Sequence, residues 1–313
     1  MQTRLRYGLL LVVLCGLLAY AFSSGALQQI LTLLSPAPSD SRRAGPIVPS
    51  LVMKKFSPEE IQEIDALAPQ QQAERLLTAA TDHYEGAPAM IMSRMGNWRG
   101  VLERNEAWNK ILWDARNSSD LRVRAAAIEV YLMENNLDKS PVVADQLIDD
   151  AQNDPENRPY DLTMLGMLAN RGTETTRIHG VLKGFTLDPD EQTRFWAIES
   201  LAYLGTVDTI PDFLEVLRLD ASPKVRERCA ASLADAGMFT REQRMNAVPG
   251  LIDVAGDAAQ NADTRNWAFQ ALQEITVNNL GTDAEAWRKW FGEHGKDRTE
   301  EFRHIEPYNV GNH

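Results

Sequence analysis

The fold of this chain is decided by five similar stretches: VRAAAIEVYL (123–132), NRPYDLTMLGML (157–168), TRFWAIESLAYLG (193–205), VRERCAASLADAG (225–237) and TRNWAFQALQEI (264–275). Each stretch carries an arginine at an equivalent position, and successive arginines are 34, 36, 32 and 39 residues apart. Recurrence at a period of about 20–50 residues is typical of stacked repeats, in which each unit is one small group of helices or strands. The spacing therefore predicts a row of helix–turn–helix units.

Within the five stretches, the residue types follow the period of a helix. The equivalent arginines are Arg124, Arg158, Arg194, Arg226 and Arg265. The residue three positions later is mostly small: Ala127, Asp161, Ala197, Cys229 and Ala268. The residue seven positions later is mostly leucine: Tyr131, Leu165, Leu201, Leu233 and Leu272. Positions with this spacing share one helical face, so each stretch is predicted to bury the same ridge against its neighbours.

This pattern resembles the HEAT-repeat family over residues 105–277. The segments IHGVLKGF (178–185) and VDTIPDFLEVL (207–217) fit the first helix of such a unit, because their apolar residues fall on one face. The resemblance implies an all-α solenoid whose second helices line a concave surface. The segment 275–291 resembles the closing segment of bacterial HEAT arrays. Pro159 and Asp161 depart from the pattern, so the sequence leaves undecided whether the helix of the second unit begins with a regular turn.

The arginines allow two interpretations. Asp120, Asp154 and Asp190 each lie four residues before one of them, a spacing that favours an ion pair on a helix. A row of guanidinium groups could also bind a ligand. Because the helical wheel places every arginine on the packed face, we expect Arg124, Arg158, Arg194, Arg226 and Arg265 to form a structural ladder.

The sequence divides into seven segments. We expect a short basic N-terminus (1–6), a transmembrane helix or signal sequence (7–27), a Pro-rich linker (28–56), an N-terminal helical cap (57–104), HEAT-like repeats (105–277), a C-terminal cap helix (278–296) and a tail (297–313). Ser57, followed by Pro58 and two glutamates, is a candidate helix N-cap at the start of the folded part.

The N-terminal segment carries the prediction of location. Residues 7–22 are uniformly apolar, and a helix over 7–27 would be about 31 Å long, enough to cross a bilayer. Arg4 and Arg6 precede it, which favours a cytoplasmic N-terminus and an extracytoplasmic, periplasmic C-terminal domain on a single-pass inner (plasma) membrane protein. Export after signal cleavage is the alternative, since small residues at 19–21 and 24–26 suit a cleavage site.

Charge and chemistry narrow the range of partners. The chain has a net charge of −12, and its few N-terminal basic residues leave the remainder still more acidic. Phosphate backbones are repelled by such a surface, so we expect no nucleic-acid partner. We find no phosphate-binding loop, nucleophile motif or metal-binding histidine pair, and therefore expect no catalytic residue, no metal and no small-molecule cofactor. His179 is expected to be solvated.

A stripe on the second helices is the candidate binding surface. Positions two, five and nine residues after each arginine fall opposite the leucine ridge. The candidate groove residues in or beside these positions are Tyr160, Met167, Trp196, Tyr203, Arg228 and Trp267. Aromatic residues and arginine in exposed positions are typical of protein-binding hot spots. The alternative is that the N-terminal helices fold over this face and bury it.

Three functions remain open at this point. The first is a membrane-anchored HEAT-repeat scaffold for protein–protein interaction on the extracytoplasmic side. The second is an enzyme or enzyme subunit of the HEAT-like lyase type, which needs a reactive cysteine or polar cluster. The third is a structural spacer in an envelope assembly. Cys229 occupies a small-residue position, which favours packing over reactivity.

Overall fold

The computed structural model describes residues 54–296. The segments 1–6 and 7–27, most of the expected linker and the tail 297–313 lie outside these residues. Among the helices that are described, none is both long enough and apolar enough to cross a bilayer.

Helices are the main secondary structure of the described chain. They are α1 (Pro58–Ala66), α2 (Pro69–Thr81), α3 (Ala87–Arg94), α4 (Glu106–Arg116), α5 (Leu121–Glu134), α6 (Pro141–Asn153), α7 (Arg158–Asn170), α8 (Thr175–Phe185), α9 (Glu191–Leu204), α10 (Ile210–Leu219), α11 (Pro223–Ala231), α12 (Arg241–Arg244), α13 (Val248–Gly256), α14 (Ala262–Thr276) and α15 (Ala284–His294). Two short strands, β1 (Lys54–Lys55) and β2 (Tyr84–Glu85), pair in parallel.

The first core lies among α1–α5. Trp98 and Trp108 are fully buried in it, and the indole N–H of Trp98 donates to the side-chain oxygen of Gln72 at 2.9 Å. The end of the expected linker belongs to this fold, because β1 pairs with β2 and the Phe56 ring lies 4.7 Å from that of Tyr84. That part of the linker prediction is wrong. Ser57 caps α1 through a reciprocal capping box, as predicted.

The second core is built by helix pairs α6–α7, α8–α9, α10–α11 and α13–α14. The second helices stack in a row, α7 on α9, α9 on α11 and α11 on α14. The leucine ridge is fully buried at Leu165, Leu201, Leu233 and Leu272, which confirms the all-α repeat fold. Helices α7 and α9 lie very close together at Gly166, where a Cβ atom would lie 2.3 Å from the carbonyl oxygen of Ser200.

The α5 helix, assigned to the first repeat, belongs to both cores. Val123 and Val130 pack in the N-terminal core, whereas Ile128 and Leu132 pack in the repeat core. Nearly every side chain between 123 and 133 is buried, as expected for a helix that is apolar on all sides. Because α4 also contributes to the N-terminal core, the first predicted unit does not join the array as the later units do.

An insertion separates the fourth and fifth units and explains their longer spacing of 39 residues. After α11 the chain makes a π-helical turn over 232–236, then α12 and a 3-10 turn over 245–247. The backbone N–H of Met238 donates to the carbonyl of Ala202 at 2.8 Å, and the ring of Phe239 meets that of Phe213 edge to face. The insertion is therefore packed into the repeat core.

Helix α15 closes the C-terminal end within the segment expected to form a cap. It packs against α13, and its Trp287 is fully buried with the indole N–H donating to the carbonyl of Gly281 at 3.0 Å. Trp290 and Phe291 are partly buried against the same core. The aromatic residues of this helix thus cover the last repeat, as terminal units of a solenoid must.

Candidate partner-binding site

Four of the five equivalent arginines donate to a backbone carbonyl at the end of the preceding helix or in the turn that follows it. Arg158 donates from Nε to the carbonyl of Ala151 at 2.6 Å, and Arg194 from Nη1 to that of Asp188 at 2.9 Å. Arg124 and Arg226 donate in the same way to Ser118 and Asp220. Ala151 lies in the last turn of α6, whose carbonyls lack partners within the helix, and the other three acceptors lie in the turns that follow α4, α8 and α10. Arg265 forms no such bond with the described residues.

The predicted ion pairs within one helix are not formed. Asp190 accepts from the backbone N–H of Thr193 at 2.7 Å, and Asp120 accepts from that of Arg122 at 2.9 Å, so both aspartates cap their helices. Asp154 instead accepts from the Asn157 side chain at 2.7 Å. A side-chain oxygen at the N-cap accepts from an N–H group that has no partner within the helix, which explains why Asp120 and Asp190 bond to the backbone.

The arginines pair with the next unit instead. Arg194 makes a bidentate contact with Asp220, with Nε–Oδ2 and Nη2–Oδ1 distances of 2.8 and 3.1 Å. Arg158 lies 3.5 Å from the hydroxyl of Thr193 and 3.9 Å from the carboxylate of Asp188. The ladder therefore links successive units at these two arginines, while Asp220 is almost fully buried.

Arg124 departs from the ladder. Besides Ser118, it donates to the carbonyl oxygens of Ala236 at 2.8 Å and of Asp235 at 3.3 Å, in the turn that ends the fourth unit. Burial lowers the pKa of its guanidinium, and the nearby Asp235 charge opposes that effect. The expected ladder therefore does not include Arg124, because α5 reaches the turn that follows α11 instead of the next unit along the chain.

The candidate groove residues differ in exposure. Met167 is fully buried, so the expectation that it is exposed is wrong. Tyr160 is 40% exposed, and its hydroxyl donates to the side-chain oxygen of Asn135 at 3.2 Å. Trp196 and Tyr203 are half-buried and pack against the repeat core. Burial raises the pKa of the Tyr203 hydroxyl.

Helix α5 lies close to the first part of the stripe. The carboxylate of Glu129, in the middle of α5, lies 2.7 Å from Nε of Arg171 at the end of α7. The Arg116 guanidinium lies 4.2 Å from the ring centre of Tyr131, which packs against the repeat core. The alternative that the sequence left open is therefore met in part, because α5 lies beside this face while Tyr160 stays 40% exposed.

The last part of the stripe remains open as a cleft between α11 and α14. Its volume is about 260 Å³. The lining residues are Glu227, Ala230, Ala231, Ala234, Asp235, Trp267, Gln270, Ala271 and Glu274. Five of these are stripe positions of the fourth and fifth units. Of the candidate groove residues, the structure brings Trp267 into this cleft, while Arg228 is paired with Glu199 at 2.8 Å.

The cleft combines an alanine floor, one indole and three acidic side chains. Trp267 is partly buried against the core and lines one wall. Gln270 donates from Nε2 to Glu274 at 2.9 Å. Sequence analysis missed Glu227, although its place one residue before the groove candidate Arg228 was a usable signal. Preformed concave shape with a few polar groups is what a binding site requires.

His179 also differs from the expectation of a solvated side chain. Its Nε2 lies 2.6 Å from the buried carboxylate of Asp212, which the ammonium of Lys183 contacts at 2.6 Å on its other oxygen. The three side chains join α8 to α10 outside the cleft, so His179 is paired and not simply solvated. Throughout residues 54–296, no group of three or more His, Cys, Asp or Glu side chains is placed to hold a metal ion.

The stacked helix pairs agree with a match between part of the chain and a known protein family. Residues 178–273 match a family model described as HEAT repeats, and this range runs from α8 to α14. A comparison with curated proteins gives no match. The matched range covers most of three consecutive helix pairs and every lining residue of the cleft except Glu274. The chain therefore carries HEAT repeats over residues 178–273, which confirms the family that its sequence predicted.

Proposed function

We propose that this protein is a scaffold held at a membrane, whose repeat face binds a protein or peptide partner on the extracytoplasmic side. A HEAT-repeat array is a helical scaffold suited to protein interaction. The observation that carries the proposal is the open cleft between α11 and α14, which is lined by the stripe positions of two adjoining units. Repeat proteins use such extended concave surfaces for binding.

The membrane part of the proposal depends on sequence alone. Residues 7–27 are apolar and follow two arginines, and they lie outside the described residues. We expect the full chain to stay with the membrane fraction after washing in alkaline carbonate, and a variant lacking residues 1–27 to leave it. Added protease should degrade the C-terminal domain in spheroplasts. Release of the intact chain by the wash would contradict anchoring.

We also propose that binding, and not catalysis, is the activity. The lyase-type alternative needs a reactive thiol, and Cys229 is the cysteine within the described residues. It is fully buried, and burial raises its thiol pKa well above the ordinary value. Because the thiolate is the nucleophile, such a cysteine is a poor one at neutral pH. This supports the scaffold over the enzyme.

Site-specific crosslinking tests the binding surface. A photoreactive amino acid replaces Gln270 in the cleft, and in a matched control it replaces Asp253 on the exposed side of α13. We expect a discrete crosslinked species from position 270 that is absent from position 253. Identical products from both positions, or none from position 270, would contradict a partner site here and favour a structural spacer.

A further inference from the structure

We propose that the cleft between α11 and α14 receives a lysine or arginine side chain from an extended segment of the partner protein. This inference rests on the proposed scaffold function and adds the chemistry of what is bound. The size of the cleft, the nature of its walls and the charge at its mouth each favour such an occupant.

The size of the cleft suits one side chain. Its volume of about 260 Å³ lies below the roughly 300–1,000 Å³ of sites that enclose a drug-sized ligand. A cofactor or nucleotide would therefore stand largely outside it. A single long side chain would enter the cleft while its backbone crosses the mouth between α11 and α14.

The walls favour a side chain with an apolar stem and a cationic end. The alanine methyl groups of residues 230, 231, 234 and 271 line the cleft. Lysine and arginine bury their methylene stems against such surfaces and keep the charged group at the polar edge. Trp267 adds an indole, the aromatic side chain that attracts a cation most strongly.

The charge at the mouth selects the sign of the occupant. Asp235 is balanced in part by the nearby Arg124 guanidinium. Glu227 and Glu274, in contrast, are exposed and form no ion pair with any described residue. An acidic partner segment would be repelled here, whereas a basic one is complementary. The net charge of −12 also attracts a basic partner over longer distances.

The test begins with an unbiased selection. Random twelve-residue peptides displayed on phage are selected on the immobilised full-length protein in detergent. We expect the enriched sequences to share a lysine or arginine at one position. A fluorescein-labelled synthetic copy of the most enriched peptide then gives the affinity by fluorescence anisotropy.

Charge-removing variants locate the contact. The double variant Glu227→Gln/Glu274→Gln should bind the peptide up to about tenfold more weakly, because two exposed carboxylates that attract the cation are lost. Its matched control, Glu63→Gln/Asp253→Asn, removes two exposed carboxylates from other surfaces and should bind like the wild type. Gln270→Lys places a competing cation at the exposed edge of the cleft and should also weaken binding, with an unchanged thermal melt.

The outcomes separate this inference from the function on which it rests. Enriched peptides without a basic residue, or equal affinity for the wild type and both cleft variants, would overturn the basic side chain and leave peptide binding intact. A selection that enriches no peptide at all would overturn both. Weaker binding by the double variant and by Gln270→Lys, with the control unchanged, supports the inference.

Discussion

Arg124 in α5 donates a hydrogen bond of 2.8 Å from Nη1 to the backbone carbonyl oxygen of Ala236, 112 residues later in the sequence. This contact joins a helix of the N-terminal core to the turn that follows α11. It also places the start of α5 beside Asp235, which lines the cleft. Helix α5 is thus fixed to the part of the repeat face that carries the cleft.

Replacing Arg124 with glutamine should destabilise the protein. The shorter side chain cannot reach the partly buried carbonyl oxygen of Ala236, and leaving such a group without its partner costs about 1–3 kcal/mol. We expect a loss of that size in the free energy of unfolding, measured by urea denaturation. Arg265→Gln is the control, because Arg265 forms no carbonyl bond with the described residues. Equal losses in both variants would show that the contact does not hold α5.

Gly166→Ala should weaken the contact between α7 and α9. The added methyl group would lie 2.3 Å from the Ser200 carbonyl oxygen, so the two helices must separate. Overpacking of this kind costs about 1–3 kcal/mol. Gly180→Ala is the matched control on α8, where nothing lies within 4 Å of the new atom. The control should gain up to about 1 kcal/mol from helix propensity, and a stable Gly166→Ala variant would disprove the close approach.

Asp161 should make stability depend on pH. Burial, followed by the charges of Asp150 and Asp154, raises its pKa from 3.8 to about 6. Its Oδ2 atom is buried without a hydrogen-bond partner. As pH rises from about 4 to about 6, the unfolded chain releases this proton first, so the contribution of Asp161 to stability falls with pH and is lost above the folded pKa.

Asp161→Ala therefore tests the cause, since three of the other four units have alanine at this position. The stability of the variant relative to wild type should be greater at pH 8 than at pH 4 by about 1–2 kcal/mol, a value reduced for screening by solvent. Asp253→Ala, which removes an exposed carboxylate, should show no such difference. A relative stability of Asp161→Ala that does not change with pH would exclude a buried titrating carboxyl.

Tyr203→Ala should lower stability more than Tyr160→Ala. Tyr203 packs against the repeat core, whereas Tyr160 is 40% exposed. Truncating a fully buried aromatic costs about 3–5 kcal/mol, so we expect about 2 kcal/mol for the half-buried Tyr203 and less for Tyr160. Thermal melts of the two variants check this order. A larger loss of stability in Tyr160→Ala than in Tyr203→Ala would instead place Tyr203 on the binding surface.

Cys229 should resist thiol reagents in the native protein. It is fully buried with a raised thiol pKa, so labelling requires the repeat core to open. A Cys15→Ser variant makes Cys229 the one reporter in the chain. We expect reaction with a maleimide to be about a thousandfold slower than in urea. Rapid native labelling would favour the lyase-type enzyme.

The sequence by itself determined the helices and the family. Local capping residues and a helical period of apolar residues fix where each helix begins and which face it buries, so Ser57 caps α1 and Ile178 and Leu182 are buried in α8. The recurrence about every 35 residues then requires neighbouring units to stack. These features depend on residues that are close in the chain.

The tertiary structure decided which part of the repeat face is open. A helical period places Met167 and Trp267 on similar faces, but it does not show which helix packs against each face. In the structure Met167 is fully buried in the repeat core, while Trp267 lines the cleft. Exposure depends on contacts between helices, such as the hydrogen bond from Arg124 to Ala236 across 112 residues, and a periodic pattern carries no information about them.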